Sequence, residues 1–147
     1  MTALDIAVKQ LKIDEGFRSK AYPDPLSGGD PWTIGYGCTG PGIQRGVVWT
    51  QEKAEAELLR RVQAFAAKLD QSLPWWRSLD PARGAVLLNM AYNMGVKGLL
   101  GFKNTLADIR VGRYSAAADK MLASKWAKQV GARALRLADQ MRHAPAP

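Results

Sequence analysis

The chain of 147 residues predicts an α+β fold, and three observations carry that reading. Apolar residues recur at helical spacing before residue 16 and again after residue 50. Between about 17 and 48 the pattern changes to short runs of period two, separated by Pro, Gly, Ser and Asp. Beyond Pro81 one helix is apolar nearly all round its cylinder, as expected of the middle of a core.

The elements follow in order. Thr2 caps the first helix, and Asp5, three residues on, completes a weak capping box. Leu4, Ala7, Val8 and Leu11 form its apolar stripe, and Gly16 stops it, which puts Glu15 at its C-terminus. The runs FRSKAY, WTIGYG and IQRGVVW predict a small antiparallel sheet of two or three strands. Thr50 caps a long helix running to about Leu73, with Lys53 in the capping-box position. Pro74 breaks it. Asp80 then serves as N-cap and Pro81 as first helical residue of ARGAVLLNMAYNMG, which places Val86, Leu87, Met90, Ala91 and Met94 on one broad face. Shorter helices are expected near 103–111, 114–123 and 131–142, with Arg142 close to a loose APAP end.

Composition narrows the function classes. Nearly half the residues are apolar, enough for a core without a structural metal or disulfide. The lone Cys38 has no partner within the chain, and a Cys38–His143 catalytic pair is disfavoured because His143 lies next to that loose end. No run approaches the length of a membrane span, and the N-terminus lacks the pattern of a secretory signal. The expectation is a protein held in the cytoplasm after synthesis. The net charge is +8 and uneven. Residues 1–50 balance five basic against five acidic side chains, while 51–147 carry sixteen against eight. Such a surface is drawn to polyanions, although a solvated helix face gives the same count.

The stretch DEGFRSKAYPDPLSGGDPWTIGYG concentrates acids and turn formers. An acid at a helix C-terminus faces the negative end of the helix dipole, which favours its protonated form, as does an apolar neighbour such as Phe17. Asp24, nine residues later in a Pro- and Gly-rich turn, is expected to be solvated and ionised. Two carboxyl groups in contrasting environments meet the requirement of acid/base glycoside hydrolysis. Taken alone, the two acids are better explained as a helix end and a turn former, because acids near turns are common.

The same residues carry a resemblance. IDEGFRSKAYPD followed by WTIGYG resembles the catalytic region of the phage-type muramidases, the glycoside hydrolase family that includes the T-even phage lysozyme. LLNMAYNMGVKGLLGFKNTL resembles the family's central helix and following loop, and SKWAKQVGARALR its closing Trp-containing turn and arginine-bearing helix. The resemblance spans nearly the whole chain and implies a single lysozyme-like domain over 1–147. Its parts would be a small β lobe with the catalytic acids at about 14–50, a connecting helix at 51–73, and a helical lobe of 74–147 plus 1–13. It implies an endolysin that hydrolyses the β-1,4 bond between N-acetylmuramic acid and N-acetylglucosamine in peptidoglycan and lyses the host cell.

Residue by residue, the resemblance makes Glu15 the general acid, Asp24 the base or electrostatic partner, and Thr33 a holder of the attacking water. Tyr92 and Asn93 fall where the family lines its saccharide cleft, and Thr105 on a neighbouring hydroxyl position. Arg133 falls where the family has an arginine close to the acid, whose charge would oppose the helix-end effect on Glu15. The resemblance suggests inversion, which fits a water-holding Thr33, while retention stays open because the separation of the two carboxylates decides the outcome. No metal or cofactor is expected. The implied partners are peptidoglycan glycan strands and a holin that opens the membrane for passage to the wall; a monomer and no nucleic acid are expected. The turn PLSGGDPW is longer than in the T-even enzyme and adds Asp30 as a rival acid, but AYPD matches the family's local pattern, so Asp24 is preferred. Cys38 stands where many relatives have histidine, outside the three catalytic positions. Two rivals remain. One is a polyanion-binding module using the basic 120–142 region, which leaves the acids without a purpose. The other is a lytic transglycosylase, which needs one acid and no positioned water.

Overall fold

A computed structural model describes residues 1–144, so Pro145–Pro147 of the APAP end lie outside the described residues. The fold is α+β, with seven α-helices and a two-stranded antiparallel sheet among those residues. The chain divides into two compact units: Val8–Gln63, here the β unit, and residues 1–7 with 64 onward, here the helical unit.

Helix α1 spans Ala3–Glu15. Its start is a reciprocal capping box: Asp5 N–H donates to Thr2 Oγ1 at 3.1 Å, and Thr2 N–H to Asp5 Oδ2 at 3.0 Å. Gly16, at φ 69°, ends it, and its N–H donates to Lys12 O at 3.1 Å. Strand β1 (Arg18–Tyr22) pairs with β2 (Thr33–Gly35) through Arg18–Gly35 and Tyr22–Thr33. Between those pairs β1 advances four residues and β2 two, so β1 bulges. The expected third strand is reduced to one bridge, Lys20–Val48, flanked by bonds from Ala21 N–H to Val47 O and from Trp49 N–H to Ser19 O. Gly46, at φ 87°, turns the 43–49 run before it can extend. Ile34, Cys38 and Ile43 form the small core beneath, with Trp32 and Trp49 packed against it. Cys38 is a buried free thiol.

Helix α2 spans Gln51–Ser72, capped by Thr50, whose Oγ1 accepts from Lys53 N–H at 3.1 Å. In the helical unit, a 3₁₀ turn (Trp76–Ser78) leads to α3 (Pro81–Leu100). Asp80 caps α3 by accepting from Arg83 N–H at 3.1 Å. Val86, Leu87, Leu88, Met90 and Ala91 are buried, so the nearly all-round apolar pattern does mark a core helix. Gly95 breaks the helical path at φ 81°, ψ 160°. Helices α4 (Lys103–Arg110), α5 (Tyr114–Leu122), α6 (Lys125–Val130) and α7 (Ala132–Arg142) complete the unit. Sequence reading missed α6, whose signal is Ser124: its Oγ accepts from Ala127 N–H at 3.2 Å. Among the described residues, no helix is long and apolar enough to cross a membrane.

Candidate active site

The β unit gathers Glu15, Asp24 and Thr33. Glu15 is the last residue of α1, half-buried, and its carboxylate lies against Gly37. A Cβ at Gly37 would stand 2.7 Å from Glu15 Oε2, and Gly37 adopts φ 76°. Only glycine suits both demands, so the Gly-Tyr-Gly turn after β2 is shaped to receive this carboxylate. Beside it, Phe17 meets Tyr36 with ring centroids 5.7 Å apart. Lys12 Nζ, one turn back on α1, is occupied by Glu55 at 3.1 Å.

The hairpin places the other two. Thr33 opens β2 directly opposite Tyr22, and Asp24 follows Tyr22 by two residues, so both stand at the same end of the ladder. Asp24 is half-buried and caps the turn that follows it: its Oδ2 accepts from Ser27 N–H at 3.1 Å, and its carbonyl from Gly28 N–H at 2.8 Å. Its own N–H donates to Gly29 O at 2.9 Å. The added residues close on themselves, with Ser27 Oγ donating to Asp30 O at 3.1 Å. Asp30 itself is exposed, as is Leu26 at the turn's tip. The longer turn is thus a self-contained loop that leaves Asp24 anchored by its own backbone.

The helical unit carries Tyr92, Asn93, Thr105 and Arg133. Tyr92 is half-buried and edge-on to Phe65 at 5.9 Å. Asn93 is exposed, and its Oδ1 accepts from Trp126 Nε1 at 2.8 Å, which fixes the amide's orientation. Trp126 is buried and packs edge-on against Phe102 at 6.2 Å. Phe102 and Thr105 in turn line a cavity of about 460 Å³ with Lys103, Asn104 and Lys120. Asn93, Trp126, Phe102 and Thr105 therefore form one connected group. Arg133 is half-buried, and its Nε donates to Oδ1 of the fully buried Asn89 at 2.9 Å.

Asn89 and Trp126 were not singled out as supports from sequence. The available signal was a polar Asn on the buried face of an apolar helix, which demands a partner. Arg142, expected near a loose end, is instead tied down: its guanidinium meets Asp119 Oδ1 at 2.6 Å and donates to Ser115 O at 3.3 Å. Among the described residues no group of three or more His, Cys, Asp or Glu side chains could hold a metal ion.

Comparisons with known proteins bear on the family of the chain. The family model described as phage lysozyme matches residues 12–143. An endolysin of Bacillus phage B103 is 31% identical over 131 residues, covering 89% of this chain and 48% of that protein. The chain thus spans about half the length of this relative. With nearly the whole chain matched, from the end of α1 to the end of α7, the chain belongs to the phage lysozyme family.

Proposed function

We propose that this chain is a peptidoglycan-hydrolysing endolysin, a muramidase that cuts the β-1,4 bond between N-acetylmuramic acid and N-acetylglucosamine. The observation that carries the reading is the seating of Glu15 against Gly37 in a unit that also holds Asp24 and Thr33 at one end of the hairpin. Glu15 gives its proton to the glycosidic oxygen as the bond to the anomeric carbon breaks. A water held by Thr33 adds its oxygen to that carbon and loses a proton to Asp24, whose charge also stabilises the developing cation. Attack from the opposite face inverts the anomeric centre. Tyr92, Asn93, Thr105 and Arg133 bind the saccharide. The single-domain partition, with residues 14–50 as a catalytic lobe and 51–73 as a connecting helix, belongs to the same proposal.

Host lysis then needs delivery. The protein acts as a monomer, waits in the cytoplasm until a holin opens the membrane, and is drawn to the wall by its basic 120–142 region. The test is mass spectrometry of purified peptidoglycan digested by the protein. Reducing muramic acid ends support hydrolysis, whereas anhydro-muramic ends reveal a lytic transglycosylase.

A further inference from the structure

The β unit has a second concavity, about 460 Å³ in volume, lined by the Pro41–Ile43 loop, Trp49 and one face of α2. Lys53, Glu57 and Arg60 stack along that face at helical spacing, with Arg61 beside them. Three cations meet one acid, a surplus of two positive charges. The acid is already engaged. Glu57 accepts from Arg60 through both oxygens, at 3.2 and 2.7 Å. Its carboxyl is held below the usual range, first by that hydrogen bonding and then by the charges of Arg60, Arg61 and Lys53. It therefore stays ionised and offsets one of the three positive charges. Arg61 Nε stands 3.8 Å from Glu57, beyond hydrogen-bond range. Its guanidinium is instead fixed by donating to Thr39 O at 3.0 Å. Lys53 Nζ lies 5.4 Å from the centre of the Trp49 ring.

We propose that this concavity is a phosphate-binding site, distinct from the catalytic acids, that seats the protein on a phosphodiester-linked polyol polymer. The Lys53 point charge and the guanidinium donors that Glu57 and Thr39 leave over are suited to phosphate oxygens, and a surplus of two matches successive phosphodiesters better than a lone carboxylate. The shape speaks against other phosphate carriers. A bilayer plane requires a broad apolar face to bury, and the apolar residues here are the buried Ile43, the half-buried Trp49 and a single exposed proline, Pro41. A nucleic acid strand requires a free aromatic face for base stacking. The Trp49 ring lies under Lys53 and packs so close to Gly35 that a Cβ there would come within 3.0 Å of it.

The site extends the proposed function, but it is read by binding alone, so its failure is separable from failure of the catalytic assignment. The test is NMR titration of the ¹⁵N-labelled full chain with a glycerol-phosphate polymer, inorganic phosphate, phosphatidylglycerol vesicles and a single-stranded oligonucleotide. The polymer should move the Trp49 indole and the Arg60 and Arg61 Nε–H resonances, with inorganic phosphate moving them weakly. Lys53→Gln with Arg60→Gln, both on exposed positions, should weaken polymer binding about tenfold or more at fixed salt. A matched pair of charge removals elsewhere, Lys9→Gln with Arg110→Gln, should change it less than about twofold, the nonspecific share of two distant charges. Equal losses in the two pairs would overturn the site, as would movement of these resonances by vesicles or oligonucleotide in preference to the polymer.

Discussion

The carboxylate of Glu15 rests on the Cα of Gly37, with room for hydrogen and none for a methyl group. Gly37→Ala therefore has two effects of different size. An alanine at φ 76° costs about 1 kcal/mol of backbone strain. The clash, at 2.7 Å from Oε2, falls on the flexible end of a side chain, so Glu15 moves rather than the fold. The expected outcome is a small drop in Tm and a much larger drop in wall-lysis rate. Lysis that falls only in step with stability would mean that the carboxylate's seat does not matter.

Asp24 and Asp30 are separated by their anchoring. Asp24 is half-buried and held by the Ser27 N–H, whereas Asp30 is exposed in the added loop. Asp24→Asn keeps the Ser27 N–H partner and removes only the charge, so its effect on lysis is expected to be severe. Asp30→Asn should be mild. Lysis rates of the two purified variants on the same wall preparation decide the point, and the reverse order would move the second acid to Asp30.

Trp126 acts on Asn93 through one hydrogen bond. Trp126→Phe keeps an aromatic ring against Phe102 and deletes the indole donor, at an expected stability cost of about 1 kcal/mol. If Asn93 binds saccharide, the variant raises KM with little change in kcat, because the amide loses its fixed orientation. A fall in kcat at unchanged KM would contradict that role.

Much of this was legible in the sequence because the decisive signals are local. Thr2 with Asp5, Thr50, Asp80-Pro81 and Gly16 each fix a helix end through neighbours within four residues, and the structure uses all of them. The apolar residues of α3 announce its burial in the same way. What was not legible depends on distant partners. The seat of Glu15 on Gly37 joins residues 22 apart, and the Asn93–Trp126 and Asn89–Arg133 bonds join residues 33 and 44 apart. The 43–49 run has strand-like composition, yet a glycine turn within it limits it to a single bridge. The Arg142–Asp119 pair is likewise non-local, joining residues 23 apart.

Acid sensitivity is expected from Asp70. Its carboxyl is held below the usual range, first by hydrogen bonding from Arg77, with Nε at 2.6 Å, and then from the Trp76 indole at 2.8 Å. A carboxylate that binds its proton less readily when folded adds stability above its unfolded-state value of about 4, and loses it as pH falls below that value toward the folded one. Asp70→Asn should therefore lower Tm at pH 7, and the gap from the unsubstituted protein should close as pH drops below about 4. A gap independent of pH would show that Asp70 acts through packing and not through charge.

The central claim is that Glu15 is the proton donor. The most direct measurement is the rate at which purified Glu15→Gln solubilises peptidoglycan, with Tm recorded on the same sample. Glutamine keeps the size and polarity that fit over Gly37 but has no proton to give the leaving oxygen. The account predicts an unchanged fold and a loss of about 10²-fold or more. A well-folded Glu15→Gln retaining more than about a tenth of the original rate, far above the residue expected without a general acid, would contradict it.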